Sequence, residues 1–322
     1  MINWKERPQQ PGQLTEGDWK IGYGVGVGMW NAGRGNASAG ISMQPDGTIT
    51  IKTAMTDIGT GTGTAMQNMT HTHTGIDKSK IRVELGHSDL PSAGSQGGST
   101  GLSSISGAVA AVCDALKEKL AAYAGFKDAR AADVQLSDKG VSFKTQFVSY
   151  ADIFSKNNLT TLDVQASSSP GPERQQYAFC SSAVHFMRVK VHSKTGKVKI
   201  DKAICVADGG LIVNQQPAAN QISGAIVGGI GMALMEEAIA DKKLGNIVGA
   251  DLAGYHFAVN ADAPVIEVVF INKPDPHINP SAAKGLGEVG IIGSAAAIAN
   301  AIYNATGKRL RDLPITPDKI LL

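Results

Sequence analysis

The sequence predicts an α+β fold that contains two copies of one β-β-α-β-α unit. Two stretches carry the same order of strand-like and helix-like hydrophobic patterns, each begins with a hairpin, and Gly-rich turns stand at matching places in both. At 322 residues the chain is long enough for about two packed domains. We place the first at residues 1–150 and the second at residues 151–322.

The first copy begins with two strands around the turn Pro45-Asp46-Gly47, where Asp and Gly favour a reversal of the chain. After this hairpin, the hydrophobic spacing indicates a helix, a strand and a long amphipathic helix. In order, the predicted elements are strands at residues 39–44 and 48–55, a helix at 65–73, a strand at 81–85 and a helix at 103–123.

The second copy begins with a hairpin around Lys194-Thr195-Gly196 and repeats the same order of elements. A loop that contains three prolines separates its last strand from its last helix. In order, the predicted elements are strands at residues 184–192 and 197–206, a helix at 216–240, a strand at 265–271 and a helix at 287–306.

Composition argues against several classes of function. A net charge of +2, with Lys and Arg scattered along the chain, gives no basic stripe, so nucleic acid is not an expected partner. The cysteines at positions 113, 180 and 205 form no C-x-x-C pair, which argues against an iron–sulfur or zinc site within this chain. The N-terminus lacks the apolar region of a signal peptide, and the longest apolar run, residues 225–235, is too short for a membrane span.

Glycines alternate with other residues from Gly22 to Gly28. This run lacks the strand, helix and acidic residue that a dinucleotide-binding fingerprint requires around it. It is more typical of a strand against which another backbone packs closely.

Gly-rich turns follow each hairpin and precede each final helix, at residues 59–63, 97–99, 209–210 and 285–288. Backbone N–H groups at such turns bind anions without a basic side chain, so four turns could surround one large anionic ligand. The alternative is that the glycines only permit tight turns and close packing.

Two polar side chains near helix starts are candidates for chemistry. Glu288 stands between glycines at the start of an apolar helix, either as a functional carboxylate or as a complement to the helix dipole. Gln221 lies near the start of the helix at 216–240, where its amide could both donate to and accept from a polar cofactor.

Together these motifs resemble the xanthine dehydrogenase and aldehyde oxidase family of molybdenum hydroxylases, in particular the C-terminal half of the molybdopterin-binding large subunit of the bacterial aldehyde oxidoreductase type. The resemblance covers nearly the whole chain. It rests on TDIGTG at residues 56–61, GGS at 97–99, DGG at 208–210 with Asn214 and Gln221, and AKGLGE at 283–288.

The resemblance implies the second lobe of a molybdenum-cofactor-binding domain, with Glu288 as catalytic base in the second of two subdomains. Molybdenum would be held by the pterin and not by side chains, and Trp30 and Arg34 would line the substrate funnel. The implied cofactor-binding residues are Gly59, Thr60, Gly61, Gly97, Gly98, Ser99, Gln221, Lys284 and Gly287.

Two positions refine the expected cofactor and substrate. Thr60 stands where xanthine-type relatives have Gln, which favours molybdopterin cytosine dinucleotide. Val289-Gly290 stands where purine-oxidising relatives have two prolines, which favours a small aldehyde over a purine. The implied reaction is oxidation of an aldehyde to a carboxylic acid with water as oxygen source, and hydroxylation of an N-heterocycle is the alternative.

In the family, the cofactor lies between two lobes, and this chain matches only one. The resemblance therefore implies a partner chain or domain that supplies the first lobe, together with iron–sulfur and FAD subunits that accept electrons. The alternative is a non-catalytic fragment or assembly module. We expect a cytoplasmic location, or a periplasmic one if a partner subunit carries the export signal.

Overall fold

Both predicted repeats are present in the computed structural model, which describes residues 2–321. The strands are β1 (Thr15–Glu16), β2 (Trp19–Asn31), β3 (Ala37–Met43), β4 (Ile49–Thr53), β5 (Ile81–Leu85), β6 (Val134–Leu136), β7 (Gly140–Phe143), β8 (Gln146–Ser149), β9 (Leu162–Ser168), β10 (Cys180–His192), β11 (Val198–Asp208), β12 (Ile239–Ala240), β13 (Ile247–Val248) and β14 (Val265–Phe270). The helices are α1 (Thr62–Thr74), α2 (Gly101–Tyr123), α3 (Tyr150–Lys156), α4 (Glu173–Gln176), α5 (Gln215–Leu234), α6 (Val289–Ile292), α7 (Ser294–Thr306) and α8 (Pro317–Leu321).

The two larger sheets share one pairing pattern. In the sheet β5-β4-β3-β9, the hairpin β3–β4 is antiparallel, and β5 returns parallel to β4 after helix α1. In the sheet β1-β2-β10-β11-β14, the hairpin β10–β11 is antiparallel, and β14 returns parallel to β11 after helix α5. The predicted α+β class and the β-β-α-β-α repeat are therefore confirmed.

The two repeats exchange strands: the strand that precedes each repeat in sequence pairs with the sheet of the other repeat. Strand β2 leads into the first repeat but pairs antiparallel with β10 of the second, from Trp19 opposite His192 to Asn31 opposite Cys180. Strand β9 leads into the second repeat but pairs antiparallel with β3 of the first. The domain boundary at residue 150 stays a prediction, and both exchanged strands cross it.

The glycines of β2 allow helix α7 to lie directly on the strand. A Cβ added to Gly22 or Gly24 would stand 2.0 Å from the carbonyl oxygen of Ala301 or 2.1 Å from that of Ala297. No side chain fits at such distances, because non-bonded carbon and oxygen atoms stay roughly 3.3 Å apart. The predicted strand with a closely packed backbone is confirmed.

Two predicted helices end differently in the structure. Helix α5 ends at Leu234 and not at residue 240. Just after this end, Glu236 accepts a hydrogen bond from the Tyr255 hydroxyl at 3.0 Å. The last helix is divided at Gly293, where a Cβ would stand 2.5 Å from Nδ1 of the buried His185. By length and composition alone, Val289–Thr306 could cross a membrane, yet 56 % of this segment is buried within the fold, as in a core helix.

Candidate functional site

A cavity of about 280 Å³ lies between the two repeats, at the place where three of the predicted Gly-rich turns meet. It is near the lower limit of about 300 Å³ for pockets that enclose a whole small ligand. The cavity therefore suits one part of a larger ligand. Its lining includes Thr60, Gly61, Gly97, Gly98, Ser99, Gln221, Lys284, Gly287 and Glu288, all predicted from the sequence.

Glu288 is the N-cap residue of α6 and lines this cavity. The Ser99 hydroxyl, which comes from the first repeat, donates a hydrogen bond to Glu288 Oε2 at 2.5 Å. In the part of the chain that the structure describes, Oε1 has no hydrogen-bond donor. The carboxylate is thus held at one oxygen and has the other available to a reacting group.

Lys284 connects two of the Gly-rich turns. Its ammonium lies 2.8 Å from Asp208 Oδ2 and its side chain is only 9 % exposed, while its backbone N–H donates to the Gly209 carbonyl. Burial raises the pKa of Asp208, but hydrogen bonds from Lys284 and Gly210 outweigh burial, so that the pKa lies below its ordinary value of 3.8. The contacts of Lys284 therefore stabilise the turn that carries Glu288, and Asp208 already neutralises the positive charge of Lys284.

The turn at residues 57–63 differs from the expected anion site. The Asp57 carboxylate accepts hydrogen bonds from the backbone N–H groups of Gly59, Gly61 and Gly63 at 3.0–3.1 Å, so the donors predicted for a ligand are used within the chain. Gly59 does not line the cavity. Sequence reasoning missed this role of Asp57, although an Asp two residues before a Gly is a recognisable Asx-turn signal.

Free hydrogen-bond donors are concentrated around the cavity instead. Among residues 2–321, no acceptor receives the backbone N–H groups of Gly98, Ser99, Gly287 or Glu288. The Gln221 amide also lacks a protein partner there, and its Oε1 lies 3.8 Å from where a Cβ on Gly287 would stand. Several backbone N–H donors and one side-chain amide, which can both donate and accept, therefore face the same space. This arrangement suits a polar or anionic ligand.

The two predicted substrate residues do not line this cavity. Trp30 lies in β2, and its indole N–H donates to the Gly98 carbonyl at 3.1 Å, so it supports the turn that carries Ser99. The Arg34 guanidinium binds Glu173 at 2.6 Å and, with the backbone N–H of Gly171, holds the pKa of Glu173 at about 2. A substrate role for either residue stays a prediction.

His185 is a structural residue that sequence reasoning missed. It is fully buried in β10, and because a carbonyl can only accept, its Nε2 must carry the proton that it donates to the Gly290 carbonyl at 2.7 Å. Burial lowers the pKa of His185 despite this hydrogen bond. The imidazole fixes the backbone two residues after Glu288.

The described residues contain no group of three or more His, Cys, Asp or Glu side chains that could hold a metal ion. His71 and His73 lie on one helix without a metal-binding arrangement, and burial lowers the pKa of His73.

Known proteins resemble this chain over most of its length. The family model of the molybdopterin cofactor-binding domain matches residues 1–264. The aldehyde oxidoreductase molybdenum-binding subunit PaoC of Escherichia coli O157:H7 is 39 % identical over 320 residues, which are 99 % of this chain and 43 % of the relative. The chain thus spans less than half the length of that relative.

Solved structures show the same fold. Quinoline 2-oxidoreductase from Pseudomonas putida 86 superposes with a TM-score of 0.83 at 22 % identity, over 94 % of this chain and 42 % of that one. The aldehyde oxidoreductase from Desulfovibrio desulfuricans superposes with a TM-score of 0.77 at 26 % identity, over 96 % of this chain and 33 % of that one. Both likenesses cover the two repeats together.

Proposed function

The chain belongs to the molybdopterin cofactor-binding domain family, within the xanthine dehydrogenase and aldehyde oxidase group, and from this premise we propose that it forms the base-carrying half of a molybdenum-dependent aldehyde oxidoreductase. The reaction would convert an aldehyde to a carboxylic acid with water as oxygen source. The observation that carries the proposal is a carboxylate, Glu288, that shares one cavity with a set of unused hydrogen-bond donors.

The residues at the cavity fit a pterin cofactor. Backbone N–H groups at Gly98, Ser99 and Gly287 can donate to pterin and phosphate oxygens, and the Gln221 amide can pair with the edge of a heterocycle. Glycine at 98 and 287 leaves the backbone open to such a ligand. When bound, the molybdenum cofactor supplies the two-electron redox centre of the reaction.

Glu288 would accept the proton that is released as the water-derived oxygen attacks the carbonyl carbon of the aldehyde. Its position follows from three contacts already described: the Ser99 hydroxyl at Oε2, the Lys284–Asp208 ion pair before it, and His185 beneath the turn after it. These contacts restrict the carboxylate to one place, which is what a general base requires.

The cytosine dinucleotide form of the cofactor is the finer part of this proposal. Thr60 lines the cavity and has a short side chain, whose hydroxyl lies 3.4 Å from that of Thr62. A longer Gln, as in xanthine-type enzymes, would occupy more of this space. Mass spectrometry of the nucleotide released from the purified protein tests this point, with cytidine monophosphate as the expected product.

We also propose a partner chain or domain that supplies the first lobe, with iron–sulfur and FAD subunits as electron acceptors. Support comes from apolar side chains exposed between α5 and β14, where Leu244 is 77 % and Leu252 is 85 % exposed. Val265, on the edge strand β14, is 68 % exposed. Exposed apolar side chains on an edge strand and in loops suit a surface that another protein covers. A cytoplasmic assembly, or a periplasmic one exported with a partner, is part of the same proposal.

Copurification with partners tests the proposal. We expect the assembly to contain stoichiometric molybdenum and to oxidise small aldehydes. An assembly that holds the first lobe but contains no molybdenum would contradict it and favour the non-catalytic alternative. Oxidation of N-heterocycles in place of aldehydes would leave the enzyme class intact and correct the substrate.

A further inference from the structure

The hydrogen bond between Ser99 and Glu288 joins the two repeats at the reactive carboxylate. Ser99 lies just before α2, Glu288 lies just before α6, and 2.5 Å separates the hydroxyl oxygen from Oε2. Among residues 2–321, Ser99 is the one protein donor to this carboxylate. This distance is at the short end of the range for O–H···O hydrogen bonds.

Ser99 has a backbone conformation that serine rarely adopts. Its φ is +60°, in the left-handed region, and the preceding Gly98 has φ +66°. A residue with a Cβ is disfavoured there. The surroundings hold the turn, because Trp30 donates to the Gly98 carbonyl and Thr100 donates to the Gly97 carbonyl. The left-handed conformation of Ser99 costs backbone free energy, which the contacts of the turn offset.

The glycine spacing in the Glu288 turn makes room for Ser99. A Cβ on Gly285 would stand 2.0 Å from the Ser99 carbonyl oxygen, and a Cβ on Gly287 would stand 3.2 Å from the Ser99 hydroxyl. Side chains at 285 and 287 would therefore push the two turns apart. The absence of side chains at Gly285 and Gly287 therefore leaves the space that Ser99 occupies.

We propose that Ser99 is a positioning residue for Glu288, beyond any contact that its backbone makes with a cofactor. This rests on the proposed role of Glu288 as the base. The hydroxyl fixes Oε2 and leaves Oε1 without a protein donor among residues 2–321. Loss of the hydroxyl would free the carboxylate to rotate away from this orientation.

The test uses the complete enzyme assembly and compares Ser99→Gly with wild type. Glycine removes the hydroxyl but adopts φ +60° without strain, so the fold of the turn is kept. Thr100→Val is the control for the loop itself, because it removes a hydroxyl that donates to the Ser95 and Gly97 carbonyls of the same turn and has no contact with Glu288. Glu288→Gln identifies the infrared band of the Glu288 carboxylate by its disappearance.

We expect Ser99→Gly to keep its molybdenum while kcat falls about 10-fold, as for the loss of one hydrogen bond to a charged group. The Glu288 infrared band should shift in Ser99→Gly and stay in place in Thr100→Val.

Four results would overturn the proposal, each in a different way. Wild-type kcat and an unshifted Glu288 infrared band in Ser99→Gly, with Glu288→Gln inactive, would remove Ser99 from the mechanism and leave Glu288 as the base. An active Glu288→Gln would overturn the proposed function itself. Loss of molybdenum from Ser99→Gly would make Ser99 a cofactor ligand. The same shifts in Thr100→Val would trace the effect to a loosened loop.

Discussion

Gly285 is the residue whose enlargement should disturb the site most directly. In Gly285→Ala, the new Cβ would stand 2.0 Å from the Ser99 carbonyl oxygen, a backbone atom that cannot swing aside. Carbon and oxygen in contact stay about 3.3 Å apart, so the two turns must separate by about 1.3 Å, the difference between these distances. The Ser99–Glu288 hydrogen bond, at 2.5 Å, would be lost.

The expected losses follow from that displacement. A shift of about 1 Å in a catalytic group costs about 100-fold in rate, and overpacking of this kind costs about 1–3 kcal/mol of stability. Steady-state aldehyde oxidation and thermal melting of the assembly measure the two effects. Gly224→Ala is the matched control, because a Cβ at this helical position meets nothing within 4 Å. Full activity and an unchanged melting temperature in Gly285→Ala would refute the reasoning.

Three further predictions concern the supports of the site. Burial lowers the pKa of His185 in the folded protein below its ordinary value of 6.5, so the unfolded chain binds a proton more readily. The free energy of unfolding should therefore fall as the pH drops below 6.5. In denaturant titrations, His185→Gln should weaken this pH dependence. Asp208→Asn leaves Lys284 without its counter-charge and should cost about 1–3 kcal/mol by chemical denaturation, with kcat lowered and molybdenum retained. Asp57→Asn keeps one acceptor oxygen but loses the other from the start of α1, and should cost about 1 kcal/mol; a variant as stable as wild type would argue against this account of the turn.

Much of the fold was open to prediction because its signals are local. The hairpin at Pro45-Asp46-Gly47 and the long helix at Gly101–Tyr123 follow from turn chemistry and hydrophobic spacing over a few residues. The alternating glycines of β2 likewise reported a close backbone approach before the partner was known. Matching Gly-rich turns then indicated where the cavity would lie.

The exchange of strands could not be predicted from local patterns. Strand β2 pairs with β10 across roughly 150 residues of sequence, and no local pattern in either strand indicates which strand it pairs with. The predictions also passed over β6 to β9, whose strands are short or lie at a sheet edge. Pairing at such separations depends on the assembled core.

Within the site, residue types were easier to predict than their uses. Nine of the predicted residues line one cavity, yet the donors of the Gly59–Gly61 turn are taken by Asp57. Arg34 is engaged by Glu173 rather than directed into the cavity. A backbone donor or a charged side chain looks available in a sequence, and only the fold shows what already binds it.

The central claim is that the Glu288 carboxylate is the base of a molybdenum-dependent oxidation, and Glu288→Gln tests it most directly. Glutamine keeps the size of the side chain but cannot accept a proton, and Glu237→Gln provides an exposed control outside the cavity. We expect Glu288→Gln to retain wild-type molybdenum and to lose about 100-fold or more of its kcat, while the control keeps both. A Glu288→Gln assembly that retains molybdenum and oxidises aldehydes at the wild-type rate would contradict it.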